Sequence, residues 1–414
     1  MVFASPDGGV HRACGSGYRS PMAGVASAAA SSAAWPSPGF CDALSGAGLN
    51  PGGTAALGAA FERGWADPAR RYRDGRVASM LLEASRESIA QAMGLRSPEI
   101  SFTASATDAM HRAIAGRLAA RPGTVVVSAV EHSAILRACD VLERSGTSVT
   151  VIGVDATGRV DGEAFASAVQ ASGVSLACLQ AFNHEVGTAQ PVSDIHMACR
   201  DAGVPLLVDA TTAIGRVVPP PPGDLLIASA LTWGGPAGVA VLGIRAPVAW
   251  APPGPVDERE SGRVPGTPAV ALIAVAARAL EWALDRVRSH DDGQVCRMLL
   301  DDIQADVRAR IPGVRVLGSP DLPYLLALSC LYTSADALVD GLDAAGFAVS
   351  SGSSCVADTR RPSHVLEAMG ALTQGNLRLT LPVGANESSV AGFVDALAEV
   401  ITADRAALGA PEID

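Results

Sequence analysis

Lysine is absent: the 31 side chains counted as Lys or Arg among the 414 residues are all arginine. A chain without an ε-amino group has no lysine with which to form a Schiff base to a carbonyl ligand, and its one remaining primary amine is the terminal one. A basic block is missing too. The formal net charge is −11, so nothing is present to neutralise a phosphate backbone, and nucleic acid is not an expected partner. The eight cysteines (Cys14, Cys41, Cys139, Cys178, Cys199, Cys296, Cys330 and Cys355) form no C-x-x-C pair and no metal-type spacing. Neither a disulfide framework nor a metal site is predicted, and a reducing, cytoplasmic setting fits. No long apolar run survives either. The stretch from Ala269 to Leu284 is interrupted by Arg278 and Glu281, so no membrane span is read, and the Ala/Ser-rich start lacks the leucine-type core of a signal peptide.

What is present is core-forming material: 49% hydrophobic residues against 18% charged, the balance of a large globular body. Residues 1–38 are Gly, Ala, Ser and Pro with few large apolar groups, and are expected to be a flexible extension. From Arg76 an apolar pattern at helical spacing runs to a glycine, the expected stop of a helix. Short β-branched runs then begin at 124, 148, 174, 204, 225 and 239 and alternate with helical stretches. That alternation predicts an α/β fold with a mostly parallel sheet covered on both faces. A long helical region is expected from about Pro268 to Ile311, followed by strands near Val314, Tyr324, Phe347 and Leu377. The expected domains are a large one over 39–290 and a smaller C-terminal α/β one over 291–414.

Ligands of such sheets sit at the carboxyl ends of strands, so the polar residues after each run matter most. They read SFTASATDAM, SAVEHSA, AFNHEVGT, LVDATTAIG and SALTWGGPAG, and a late Gly/Ser loop, SSGSSC, holds Cys355. Hydroxyl residues at a strand-to-helix turn suit phosphate binding. A strand-end Asp, a His and a loop thiol together suggest a cofactor pocket with a nucleophilic cysteine.

In this order and spacing the segments resemble the cysteine desulfurases, class-V aminotransferase proteins of the fold-type I pyridoxal-phosphate (PLP) group. The resemblance runs from about Phe40 to Ile401 and includes SGRVPGTPAV, SSGSSCVADTRRPSHVLEAMG and NLRLTL. It implies a fold-type I large domain with a seven-stranded sheet, a homodimer and a protein that donates or accepts sulfur. It also implies residue roles. Thr107 and Ser229 would hold the cofactor phosphate, His132 would stack on the ring, Asp209 would pair with its nitrogen, and Asn183 would contact the ring hydroxyl and substrate. Arg378 would clamp the substrate carboxylate bidentately, Cys355 would take the sulfur as a persulfide, and Thr267 would reach the phosphate across the dimer. The chain departs from the family at the cofactor lysine. The expected His-Lys pair is Leu231 and Thr232, and a usual glutamine is Thr212. PLP, if used, is then held non-covalently, and His132 or the Cys355 thiolate has to move protons. A scaffold pseudoenzyme subunit and a lysine-free PLP enzyme acting on another amino substrate remain open alternatives.

Plainer roles exist for the same residues. His132 can be a structural histidine, and Asp209, Thr107 and Ser229 can be caps or turn residues. Arg378, in the apolar strand NLRLTL, needs a ligand or a carboxylate beside it. Cys355 sits among serines and a glycine, unlike a core cysteine; Asp358, Arg360 and Arg361 beyond it read as a solvated face.

Overall fold

The computed structural model describes residues 35–352, 362–411 and 413. Cys355, Asp358, Arg360 and Arg361 lie outside the described residues. Trp35 already packs on the compact body, edge-on to Trp282 at 6.5 Å, with its indole N–H donated to the Val383 carbonyl at 3.2 Å.

The larger sheet is built from β1 (Ile100–Thr103), β2 (Thr124–Ser128), β3 (Val149–Ile152), β4 (Val174–Gln180), β5 (Leu206–Asp209), β6 (Leu225–Ser229) and β7 (Ala240–Ile244). Their spatial order is β1-β7-β6-β5-β4-β2-β3. Neighbours from β6 through β5, β4 and β2 to β3 pair in parallel, and β7 runs antiparallel to both β6 and β1. Its strands are near-continuous Val, Leu and Ile because both faces are covered. Helices α1 (Pro51–Arg63) and α2 (Arg73–Ala92) precede β1; α3 (Ala106–Ala120), α4 (Ser133–Arg144), α5 (Gly162–Val169) and α6 (Val192–Ala202) fall between strands. One face buries Ile89, Phe102, Leu179, Val208 and Leu280, and the opposite face Met110, Ile114, Val127, Ile135 and Leu207. Each such side chain contributes about 1.5–3 kcal/mol of burial.

The predicted helical region over 268–311 divides in two, α7 (Val270–Ser289) and α8 (Asp292–Arg310). The break falls at His290 and Asp291, where Asp291 takes φ 52°. A three-stranded antiparallel sheet follows, β8 (Val314–Leu317), β9 (Leu325–Cys330) and β10 (Asn376–Thr380), in the order β10-β9-β8. It packs with α9 (Ala335–Ala344), α10 (His364–Ala368) and α11 (Phe393–Leu408) around a second core. The strand expected near Phe347 does not form. That segment makes single bridges instead, Ala348 with Phe40 and Ser350 with Arg378, because residues 40–42 reach in beside β10 and take the hydrogen bonds a strand would need.

One buried contact fixes the loop that carries Thr267. Glu260 accepts from both terminal nitrogens of Arg86, at 2.9 and 2.7 Å, and from the Phe102 amide at 2.7 Å. Glu260 holds φ 48° and Ser261 φ 58°, a left-handed pair that non-glycine residues adopt only when their surroundings impose it.

Candidate functional site

A cavity of about 470 Å³ opens at the carboxyl ends of the parallel strands. Residues that follow five strands reach it: Ser105 and Thr107 after β1, His132 after β2, His184 after β4, Thr211 and Thr212 after β5, and Ser229 at the end of β6. The smaller sheet adds Arg378 from β10, and the N-terminal segment adds Leu44 and Ser45. No residue set in sequence proximity could build this pocket. The crossover topology does it.

At one end Ser105 caps α3 by accepting from the Asp108 amide at 3.1 Å, and Ala106 and Thr107 form the helix's first turn. The first N–H groups of a helix lack intrahelical partners and, with the helix dipole, favour an anion. Ser229 faces the same cavity from β6. His132 has the structural role considered for it and also reaches the cavity. Its Nδ1 caps α4 by accepting from the Ala134 amide at 3.1 Å, while the ring lines the cavity. Asp209 is buried, and its Oδ1 accepts from the Thr211 amide at 2.9 Å, closing a turn. Burial raises its pKa, opposed by the His132 ring; burial lowers that of His132, opposed by Asp209. The two groups thus stabilise one another's charged forms across the site.

Three further expected site residues are placed as follows. Asn183 does not reach the cavity. Its Oδ1 accepts from the Glu185 and Val186 amides, each at 2.9 Å, and its Nδ2 donates to the Val130 carbonyl at 3.2 Å. Three of its four hydrogen-bonding positions serve a buried turn, and the neighbouring His184 lines the cavity instead. Arg378 is not free for a bidentate clamp. Nη2 donates to Asp42 Oδ1 at 2.7 Å and Ser45 Oγ at 3.1 Å, Nη1 donates to the His184 carbonyl at 3.0 Å, and Nε is buried without a partner. Asp42 is the carboxylate that such a buried charge requires. Thr267 lies outside this cavity, exposed on the rim of a neighbouring hollow of about 320 Å³; the two hollows share Ala104, Gly238 and Val239.

Thr232 lines the cavity, and its hydroxyl lies 2.7 Å from the Thr211 carbonyl and 2.9 Å from that of Ser229. The turn that carries it ends at Gly234, φ 80°, a conformation that suits glycine. Behind it the fully buried Arg216 donates to the carbonyls of Thr232 and Leu381, both at 2.9 Å, tying the turn to the end of β10. Leu231 also faces the cavity.

Residues that sequence reasoning missed surround His184. Its ring meets His132 edge-on at 5.0 Å, its Nδ1 lies 3.3 Å from Gln180 Oε1, and its Nε2 is 3.6 Å from Glu185 Oε1. Burial holds the His184 pKa well below its ordinary value, with His132 and Arg378 pushing the same way. Burial pushes Glu185 up to about 7 and Glu131 up to about 8. The motif AFNHEVGT carried a partial signal, a His one step from the expected Asn. Nothing in the sequence flagged Asp42, which lies 336 positions from Arg378.

Six cysteines among the described residues are free and buried. Burial pushes the thiols of Cys41, Cys139, Cys199, Cys296 and Cys330 up to about 12 and raises that of Cys178, which makes all six poor nucleophiles. Among the described residues no helix is long and apolar enough to cross a membrane, and no three His, Cys, Asp or Glu side chains are grouped to hold a metal. The donor set suits a flat ring with a phosphate. A helix start and Ser229 face the anion end, an imidazole forms a wall, and a buried carboxylate stands nearby.

Known proteins share this architecture. The sequence profile described as Aminotransferase class-V matches residues 60–391. A cysteine desulfurase of Cereibacter sphaeroides is 35% identical over 81% of this chain and 87% of its own. An IscS-like cysteine desulfurase of Mycobacterium tuberculosis is 33% identical over 87% of this chain and 96% of its own. A solved NifS-like protein superimposes with a TM-score of 0.80 at 25% identity, covering 88% of this chain and 99% of that one.

Proposed function

Because the chain belongs to the cysteine desulfurase family of class-V aminotransferase proteins, we propose that it is a sulfur-transfer protein in which Cys355 carries the sulfur as a persulfide. Pyridoxal phosphate, in this reading, is a non-covalent guest. The observation that carries the proposal is the convergence of Thr107, Ser229, His132 and Arg378 on the cavity around Thr232, with the buried Asp209 acting electrostatically on His132 from behind the wall, in a chain with no lysine.

Thr107 and Ser229, with the start of α3, would hold the phosphate; Asp209 would face the ring nitrogen and His132 the ring. When bound, the cofactor supplies an electron sink for bonds at an amino acid's α-carbon. Proton movement falls to this chain's own residues. The Thr232 hydroxyl is committed to backbone carbonyls, so His132 or the Cys355 thiolate would have to move the proton; the neutral His132 ring accepts one only by giving up its Nδ1 cap on the Ala134 amide.

Connectivity supports Cys355 as the carrier. A β-carbon built on Gly352 would lie 3.9 Å from Glu185 Oε2 and 4.0 Å from the Arg378 β-carbon, and the Ser363 hydroxyl donates to the same Glu185 oxygen at 2.5 Å. The described residues on either side of 353–361 thus share Glu185 as a neighbour, and Gly352 also lies beside Arg378. The exposed Thr267, outside its own cavity, fits a homodimer in which each copy completes the other's site.

The test is intact-mass analysis of protein freed of contaminating desulfurase and incubated with L-cysteine, with and without PLP, beside Cys355→Ala. A gain of one sulfur that needs PLP and Cys355 is expected. No gain under either condition rejects desulfuration and leaves a sulfur relay fed by another donor, or a scaffold subunit, as the function.

A further inference from the structure

Arg378 is the one arginine on the cavity wall among the described residues, and its donors are nearly all assigned within the chain. Of five guanidinium N–H groups, both on Nη2 go to Asp42 and Ser45, one on Nη1 goes to the His184 carbonyl, and Nε is shielded from solvent without a partner. One Nη1 N–H has no partner among the described residues, on a side chain that lines the cavity. The Asp42 side that fixes this geometry is itself rigid. Its segment is stitched on both sides, the Cys41 amide to the Ala348 carbonyl at 2.9 Å and the Ala43 amide to the Thr380 carbonyl at 2.9 Å. The Arg378 backbone is pinned as well, pairing with Ser350 at 2.6 and 3.2 Å.

An arginine with this much freedom removed has a single orientation, and its charge is largely balanced by a carboxylate 2.7 Å away. Two consequences follow from electrostatics. A dianion gains little by entering this end, since the Asp42 charge opposes it, whereas the start of α3 at the other end offers unopposed N–H groups. A singly charged carboxylate can still take the one free N–H, at a fixed place. The cavity is therefore polarised, phosphate at α3 and carboxylate at Arg378.

We propose that Asp42 is a positioning residue for ligand recognition: with Ser45 it fixes Arg378 as a one-point anchor for the α-carboxylate of an amino-acid ligand. The proposal rests on the cavity being a thiol-amino-acid site, and it assigns specificity to a residue of the N-terminal segment that touches no reacting atom.

The experiment compares L-cysteine with 2-aminoethanethiol, which differs only by lacking the carboxylate. Calorimetric binding to the full chain is measured for wild type, Asp42→Asn and Ser45→Ala, with thermal melting as the fold control. Wild type should prefer L-cysteine. Asp42→Asn should lose about 10- to 100-fold in L-cysteine affinity, the range expected when an anchoring group is released from its geometry, while 2-aminoethanethiol changes less than about twofold. Ser45→Ala, a milder loss at the same Nη2, should show a smaller loss of the same selectivity. Equal weakening of both ligands, tighter L-cysteine binding by Asp42→Asn, or no carboxylate preference in wild type overturns the proposal. If Asp42→Asn does not fold, an unselective Ser45→Ala overturns it alone. A wild type that discriminates between the ligands yet never gains sulfur on Cys355 keeps Asp42's role and sinks the sulfur-transfer reading. Sulfur gain with undiminished L-cysteine affinity in Asp42→Asn does the reverse.

Discussion

Restoring an amine at position 232 tests whether the cavity is a cofactor site that has lost its anchor. In Thr232→Lys the hydroxyl that lies near the Thr211 and Ser229 carbonyls is removed. A hydroxyl has one proton, so it satisfies one carbonyl at a time, and the loss is about 1 kcal/mol net, rising toward about 3 kcal/mol if a carbonyl is left buried and unpaired. The residue is 8% exposed, so the new amine is desolvated. Burial lowers a lysine pKa by up to about 3–5 units, and the charge of Arg378, which lines the same cavity, acts in the same direction. The amine would be substantially neutral, hence nucleophilic, near pH 7–8 by that estimate. The variant should melt slightly earlier than wild type and, after incubation with PLP and borohydride reduction, carry one pyridoxyl group mapped to position 232. Val151→Lys, on the edge strand β3 where the side chain is 57% exposed, is the control. Folded Thr232→Lys protein that is labelled no better than the control would refute the assignment of this position and the cofactor reading with it.

Three further outcomes are expected. Asn183→Ala should destabilise by about 2–4 kcal/mol in urea unfolding, because two buried amides and a carbonyl lose their partner; a change in ligand affinity at unchanged stability would restore it to the binding site. Arg86→Leu should cost about 3–5 kcal/mol by stranding the buried Glu260 carboxylate, and the double variant Arg86→Leu/Glu260→Leu should recover part of that loss; additive losses would contradict it. Stability should also fall as pH rises above about 5. Glu185 and Glu131, raised to about 7 and about 8 from an ordinary 4.5, keep their protons in the folded chain while the unfolded chain ionises. Their contribution is complete below the unfolded value, declines through the interval, and is gone above about pH 8, so Glu185→Gln and Glu131→Gln should each flatten the profile measured by chemical denaturation.

The sequence by itself determined the α/β class, six of the seven strands of the large sheet, the strand-end location of the site and the want of a lysine. These are local properties. Apolar periodicity reports which faces must be covered, and a missing residue type is missing in any conformation. Much of the candidate site was legible for the same reason, since Thr107, His132, Asp209 and Ser229 follow strands and strand ends converge. Other matters were decided by tertiary structure alone. Asn183 and His184 are adjacent in sequence, and only the turn geometry chose which faces inward. Whether Arg378 offers two donors or one depended on Asp42, which reaches it because residues 40–43 lie between the 348 and 380 segments. A buried charge announces that it needs a partner, but which partner is set by long-range packing, and no local pattern encodes that.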